Sequence, residues 1–437
     1  MYPYYYNLSS VKELSSNHDG DDFVKTKTYD YNGESYKIIS YTKHLLNDDT
    51  IQSHGLFRSV ILNSDNQVVS FSPPKSIGFT NFFNKYGDNL FEPFSVENAQ
   101  SDPLFSAQGV SVLNNTSRKE PSIAVEEFVE GTMVNLFWDS RVSNFVISTK
   151  NTVGGEVTFF KKSPSKTFYT MFCESVKEAN LEINNLDKDY CYSFVIQHPD
   201  NRIVTPFRMP YLYLIAVYKI DQAQSMVSEV DRNVFQRWAC LKDTSVKYAL
   251  KYDYVTSYQE AINLYASAIT PYYIQGVVFK NTLTGERSKV RNVNYETVRK
   301  LRGNQTKTQY QYLLLRGQRE VREFLNFYPE FKDEFAAYRD KLHQFTNELH
   351  SNYADCYIKK QKPLTEYPKQ FRSHMFNLSK IYKETLKPIG GYVNKEEVIR
   401  YVNGLPTDHL MYSLNYEERI KRGEDNAELV QSEYVMV

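Results

Sequence analysis

The sequence predicts an α+β protein. A domain of antiparallel sheets, residues 1–300, is followed by an all-helical C-terminal domain, residues 301–415, and a charged tail, residues 416–437. Three observations carry this reading. Short runs rich in β-branched and aromatic residues, punctuated by Asn, Asp, Gly and Pro, recur through the first part. From about residue 310 the apolar residues recur at helical spacing. Strand runs and helical runs are segregated along the chain rather than alternating, which is the α+β pattern.

Taken in order, residues 1–30 are polar and SSNHDGDD reads as a loop. Strand-like runs follow: GLFRSVILN, QVVSFSP, EEFVE, TMVNLFWD, NFVISTKNT, CYSFVIQHP, YLYLIAVYKI and IQGVVFKN. Helical patches, KTFYTMFCESVKEANL and DRNVFQRWACLK, lie between them. The character changes after KVRNVNYETVRKLRGNQ. Phe331, Phe335, Tyr338, Leu342, Phe345 and Leu349 are spaced four, three, four, three, four, which puts all six on one helix face. That face reads as a core seam, and His343 and His350 beside it read as surface or packed histidines rather than metal ligands. No internal repeat is visible.

The 437 residues suffice for two or three domains. Lys plus Arg and Asp plus Glu both number 52, so a nucleic-acid partner has to be argued from local patches. The 36 tyrosines read as AT-rich coding before they read as stacking surfaces. Four cysteines without a Cys-x-x-Cys pair or zinc spacing form no disulfide framework and point to a reducing compartment. The start MYPYYYNLSS lacks a secretion signal, and no apolar run approaches the ~20 residues of a membrane span. The expectation is an intracellular, cytoplasmic protein without membrane contact, its oligomeric state open. For a viral source the location would be a virion or virus factory.

Several short motifs carry chemistry when taken together. EFVEGTMVNLFWD, STKNTVGG, YSFVIQHPDNRIVTP, IQGVVFKN and SKVRN follow GLFRSVILN in that order. In this order they resemble the motifs of covalent nucleotidyltransferases, specifically ATP-dependent RNA ligases of the bacteriophage tRNA-repair type, over roughly residues 50–300. The resemblance implies the nucleotidyltransferase (ATP-grasp-like) ligase fold. It also implies ATP with magnesium or manganese as cofactors and RNA and a nucleotide as partners. A lysine attacks the ATP α-phosphate and holds AMP as a phosphoramidate, carboxylates hold the metal, and cations neutralise the phosphates. By resemblance Arg58 contacts phosphates, Glu130, Gly131 and Thr132 stand for Asp-Gly-Ser, Lys150 lies at the cleft, and Lys289 and Arg291 stand for Lys-x-Lys.

The departures are equally specific. The nucleophile position holds Phe128, and two acidic positions hold Val195 and Gln275. A phenyl ring forms no phosphoramidate, and loss of two carboxylates weakens hard-cation binding. No residue set is therefore assigned to a metal. The cations Arg58, Lys150, Lys280, Lys289 and Arg291 remain. Lys150 is the first substitute nucleophile and Lys289 a second. Alone, VEGT reads as a hairpin turn with Gly131 at positive φ. His198 reads as a satisfied loop histidine. The alternation of Lys289 and Arg291 suits a solvated edge strand as well as a site.

Residues 286–322 hold ten Lys and Arg against three Glu, a net +7, with Tyr295, Tyr310 and Tyr312 interleaved. Cations for phosphates and rings for bases are the means of single-strand RNA binding. Arg299, Lys300, Arg302, Lys307 and Tyr310 are the candidates. A solvated linker helix is the competing reading. Three whole-protein readings remain: an RNA-ligase-fold binder of RNA and ATP with a degenerate centre, an active RNA ligase joining 5′-phosphate and 3′-hydroxyl ends through a relocated nucleophile, and a structural or assembly protein.

Overall fold

The structure is a computed structural model and describes residues 4–8, 23–47, 50–87, 110–112, 123–159 and 166–421. The SSNHDGDD loop and residues 422–437 of the expected tail lie outside the described residues. The chain separates into two compact units, Met1–Lys300 and Leu301–Val437.

The first unit is built on three sheets, and every strand pair in them is antiparallel. The strands are β1 Tyr4–Asn7, β2 Val24–Tyr31, β3 Glu34–Tyr41, β4 Val60–Leu62, β5 Val68–Phe71, β6 Val110–Val112 and β7 Ile123–Glu127. They continue as β8 Thr132–Asp139, β9 Asn144–Ser148, β10 Tyr190–Gln197, β11 Tyr211–Asp221, β12 Met226–Glu229, β13 Gly276–Asn281 and β14 Arg287–Arg291. Seven form one sheet in the order β6-β1-β12-β11-β10-β8-β9. Three form β14-β13-β7, and four form β2-β3-β4-β5.

β1 and β2 arise within the stretch that reads as polar. β1 inserts Tyr4 and Tyr6 into the core and leaves Asn7 exposed. β2 pairs along its whole length with β3 through a turn in which Asn32 and Gly33 both have positive φ, 52° and 82°. Asn-Gly accepts that backbone, which matches the twist of a hairpin. One core joins the four-stranded sheet to one face of the seven-stranded sheet through Ile38, Ile61, Phe71, Phe137 and Tyr218. The other face packs under the helix Phe168–Glu178 through Phe172, Phe194 and Leu214. The three-stranded sheet has its own core, where Val125, Val277 and Phe279 meet Phe82 and Tyr258 of the helices Phe79–Tyr86 and Tyr258–Tyr265. The helical patch 231–242 breaks into two single turns, Arg232–Phe235 and Ala239–Lys242, because Trp238 is extended (φ −64°, ψ 138°).

The second unit is helical. Its longest helix, Lys332–Tyr353, buries Phe335, Leu342, Phe345 and Leu349, with Phe331 buried just before it. Tyr338 is half-buried and donates to Glu334 at 2.7 Å, while His343 is exposed. Among the described residues no helix is long and apolar enough to cross a membrane.

Candidate functional site

The stretch from β7 into β8 makes a tight turn at Glu130-Gly131. Gly131 has φ +141°, and a Cβ there would lie 2.4 Å from the Ile196 carbonyl oxygen, so only glycine lets the turn approach β10. Glu130 is buried, and its carboxylate accepts from the Val204 N–H (2.8 Å), the Thr205 N–H (3.1 Å) and the Thr205 hydroxyl (2.6 Å). Burial pushes its carboxyl pKa up, and these donors pull the other way. Gln197 donates to the Glu130 carbonyl at 2.9 Å, and Asn201 donates to the Thr132 hydroxyl at 2.8 Å. The turn motif and the PDNRIVT motif are thus one hydrogen-bonded unit. His198 is held by Glu174 at 2.7 Å.

On β14 the side chains alternate. Ser288 is fully buried and Val290 packs with the core of the three-stranded sheet, while Arg287, Lys289 and Arg291 take the opposite face. Lys289 Nζ lies 4.5 Å from the centroid of the Phe128 ring, and the Arg291 guanidinium carbon lies 5.7 Å from it. Backbone contacts carry the same face across further segments. The Ile77 N–H donates to the Arg287 carbonyl (2.9 Å), and Arg287 Nη2 donates to the Pro74 carbonyl (2.8 Å). The Lys75 N–H donates to the Gly55 carbonyl at 2.8 Å, which leads to Arg58. Ser59 donates to the Thr149 carbonyl at 3.5 Å, beside Lys150, whose Nζ lies 4.4 Å from the Tyr41 ring centroid.

Arg58, Lys75, Lys150, Arg287 and Lys289 form one group of like charges. Burial holds the Lys289 amine well below its ordinary pKa, and Arg287, Arg58, Arg291 and Lys75 push it the same way. Burial and then Arg287 lower Arg58. Burial and then Arg58 lower both Lys75 and Lys150. Among the described residues none of the five has a carboxylate within ion-pair distance. By contrast, Arg291 is bound by Glu296 at 3.1 and 3.0 Å, and Lys280 pairs with Glu229 at 2.5 Å. Lys280 therefore does not join the group. Partly buried cations without counter-charge are unfavourable unless an anion completes them.

The acidic side is thin. Val195 is buried, and the Gln275 side-chain oxygen is buried without a hydrogen-bond partner. Glu126 faces Arg232 (3.8 Å) and Glu127 accepts from the Leu250 N–H (3.1 Å). Among the described residues no group of three or more His, Cys, Asp or Glu is placed to hold a metal ion. Among the described residues, the carboxylate set that the motif resemblance implies for a divalent cation is thus incomplete, since Val195 and Gln275 stand at two of its positions.

The proposed RNA contacts are dispersed in character. Arg299 pairs with Glu296 at 2.8 Å, and Lys300 is exposed. Arg302 is buried with its guanidinium 5.3 Å from the Phe331 ring centroid. Lys307 is exposed and Tyr310 half-buried. Sequence reasoning missed Lys75 and Arg287 as members of the cationic group. The alternation in RSKVR was a signal for Arg287, but nothing local marks Lys75 in SPPKS.

No protein-family model matches the chain. It is 27% identical over 274 residues to the immediate-early protein ICP-46 homolog of Invertebrate iridescent virus 6, covering 58% of this chain and 57% of that protein. It is 30% identical over 110 residues to an RNA ligase of Rhodothermus phage RM378, covering 24% of each. The chain thus spans about half or less of these curated relatives. Similar solved structures include a putative ATP-dependent DNA ligase from Aquifex aeolicus (12% identity, 94% of this chain and 79% of that one, TM-score 0.35). An archaeal ATP-dependent RNA ligase aligns at 11% identity over 74% of this chain and 76% of that one, TM-score 0.37.

Proposed function

We propose that the first unit is a ligase-related nucleotidyltransferase domain whose site binds the phosphates of a nucleotide and of RNA, without forming a lysine adenylate at the motif position. The observation that carries this is the group Arg58, Lys75, Lys150, Arg287 and Lys289, without carboxylate partners among the described residues, with Lys289 over the ring of Phe128 where the motif has its lysine. A structural protein has no use for like charges held together against burial. The partial identity with a phage RNA ligase supports the same reading.

A second reading has one specific observation in its favour. An amine lowered as Lys289 is carries less of its proton and is more nucleophilic than an ordinary lysine. Under that reading Lys289, nearer the motif position than Lys150, attacks the α-phosphate. The test is incubation with α-labelled ATP and magnesium or manganese, then denaturing electrophoresis beside a lysine-dependent RNA ligase. The first reading expects label only in the control. A labelled band that maps to Lys289 would establish the second.

A further inference from the structure

We infer that this site takes an oligophosphate monoester with the charge of the protein alone, and that a divalent cation weakens the complex instead of enabling it. The inference rests on the phosphate-binding reading above and names its ligand chemistry: a 5′-triphosphate, carried by a free nucleotide or by the end of an RNA strand.

The charge inventory around the site points this way. Among the described residues, five cations from four chain segments lack carboxylate partners, and Arg291 adds a sixth that Glu296 partly offsets. Among the described residues, five carboxylates on the neighbouring strands and turns are already engaged. Glu130 is taken by Val204 and Thr205, Glu126 faces Arg232, and Glu127 is held by the Leu250 N–H. Glu229 is taken by Tyr4 and Lys280, and Glu286 by Lys85 and Tyr86. A divalent cation carried by phosphates keeps waters as ligands and is usually anchored by one or two protein carboxylates. Here an apolar side chain and an amide stand at two acidic positions, and the amide oxygen of Gln275 is one neutral, unpartnered acceptor.

The same geometry explains the sign. A bound metal removes two charges from a triphosphate, halving what the cations attract. It also brings its own positive charge toward Lys289 and Arg287, with no carboxylate between them. Such an arrangement selects the free anion over its metal complex. The amide at Gln275 adds no charge where the motif has a carboxylate.

The experiment measures equilibrium binding of ATP, of a short RNA with a 5′-triphosphate and of the same RNA with a 5′-hydroxyl, each in EDTA and in excess magnesium. The full chain is used, with Lys289→Met as a folded control checked by circular dichroism. The inference expects triphosphate binding in EDTA, weakened about threefold or more by magnesium, and reduced at least about tenfold in K289M. The ATP and RNA arms separate the two sources of the triphosphate. Binding that requires magnesium would overturn the inference and leave the phosphate-binding reading standing. Binding in EDTA that K289M leaves unchanged would overturn the assignment to this site. Absence of triphosphate binding in both conditions would overturn the reading and the inference together.

Discussion

The Lys289 ammonium nitrogen stands 4.5 Å from the centroid of the Phe128 ring. Phe128 directly follows β7 and Lys289 lies on β14, the two strands that flank β13 on opposite sides, since Val277 pairs with Glu127 and Gly276 with Arg291. A ring face attracts a cation by about 0.5–2 kcal/mol, more as water is excluded. Phe128 therefore does more than delete an amine: it gives Lys289 and Arg291 a shared, uncharged support.

Restoring the motif residue alone should fail. Phe128→Lys removes that support and adds another cation to the group, so we predict a loss of about 2 kcal/mol in urea unfolding. No covalent AMP should form, because the positions of Val195 and Gln275 still lack carboxylates. The triple variant with Val195→Glu and Gln275→Glu should label with ATP and magnesium. Labelling of the single variant would refute the requirement for the acidic positions.

Stability should depend on pH through Lys289. Its pKa in the folded protein is lowered, while unfolded lysine sits near about 10.4. Below the lowered value both states hold the proton. Between the two values only the unfolded state holds it, so stability rises with pH across that window. Urea midpoints of the wild type, without polyvalent anions, should rise with pH relative to Lys289→Met. Phosphate affinity should fall across the same range, because binding favours the protonated amine. A flat difference between the two proteins would count against the prediction.

Glu130 ties two motifs together, and its loss should be felt in stability before binding. Glu130→Ala leaves the Val204 and Thr205 N–H groups without an acceptor, at a predicted cost of about 2–4 kcal/mol. Glu130→Gln keeps an acceptor and should cost about half as much. Equal losses in the two variants, by denaturant titration, would show that hydrogen-bond capacity is not what matters there.

Gly131→Ala should destabilise the protein by about 3 kcal/mol, since the new methyl meets the Ile196 carbonyl and φ is +141°. A change within experimental error in the urea midpoint would mean that the turn relaxes without loss.

The antiparallel, then helical, order was legible because burial periodicity is local. The seam from Phe331 to Leu349 is one example. Five strands, β1, β2, β3, β6 and β12, lie outside the strand-like runs and the SKVRN motif, and two of them show different reasons. β2 is polar on most positions because much of it is exposed, although Asn32-Gly33 marked its hairpin. In β1, tyrosines at the chain start carry no pattern until β12 pairs with them. In the site, the order of motifs pointed to Arg58, Lys150, Lys289 and Arg291. What could not be read was compensation. Lys280 meets a carboxylate 51 positions away, Lys289 meets none among the described residues, and both look alike in sequence. The grouping of Lys75 with Arg58 and Lys289 depends on strand-to-loop hydrogen bonds that leave no local trace.

The cations at positions 58, 75 and 150 and the neighbouring pair 287 and 289 lie far apart along the unfolded chain, so most of their mutual repulsion arises only on folding. Under the proposed function, a polyphosphate-bearing ligand would therefore do double service, as cargo and as a brace for the native state. Molecules that found it early would then outlast those that stayed empty, with proteolysis culling the empty ones first. The steady-state abundance of this protein would then serve as a gauge of how much of its ligand is at hand.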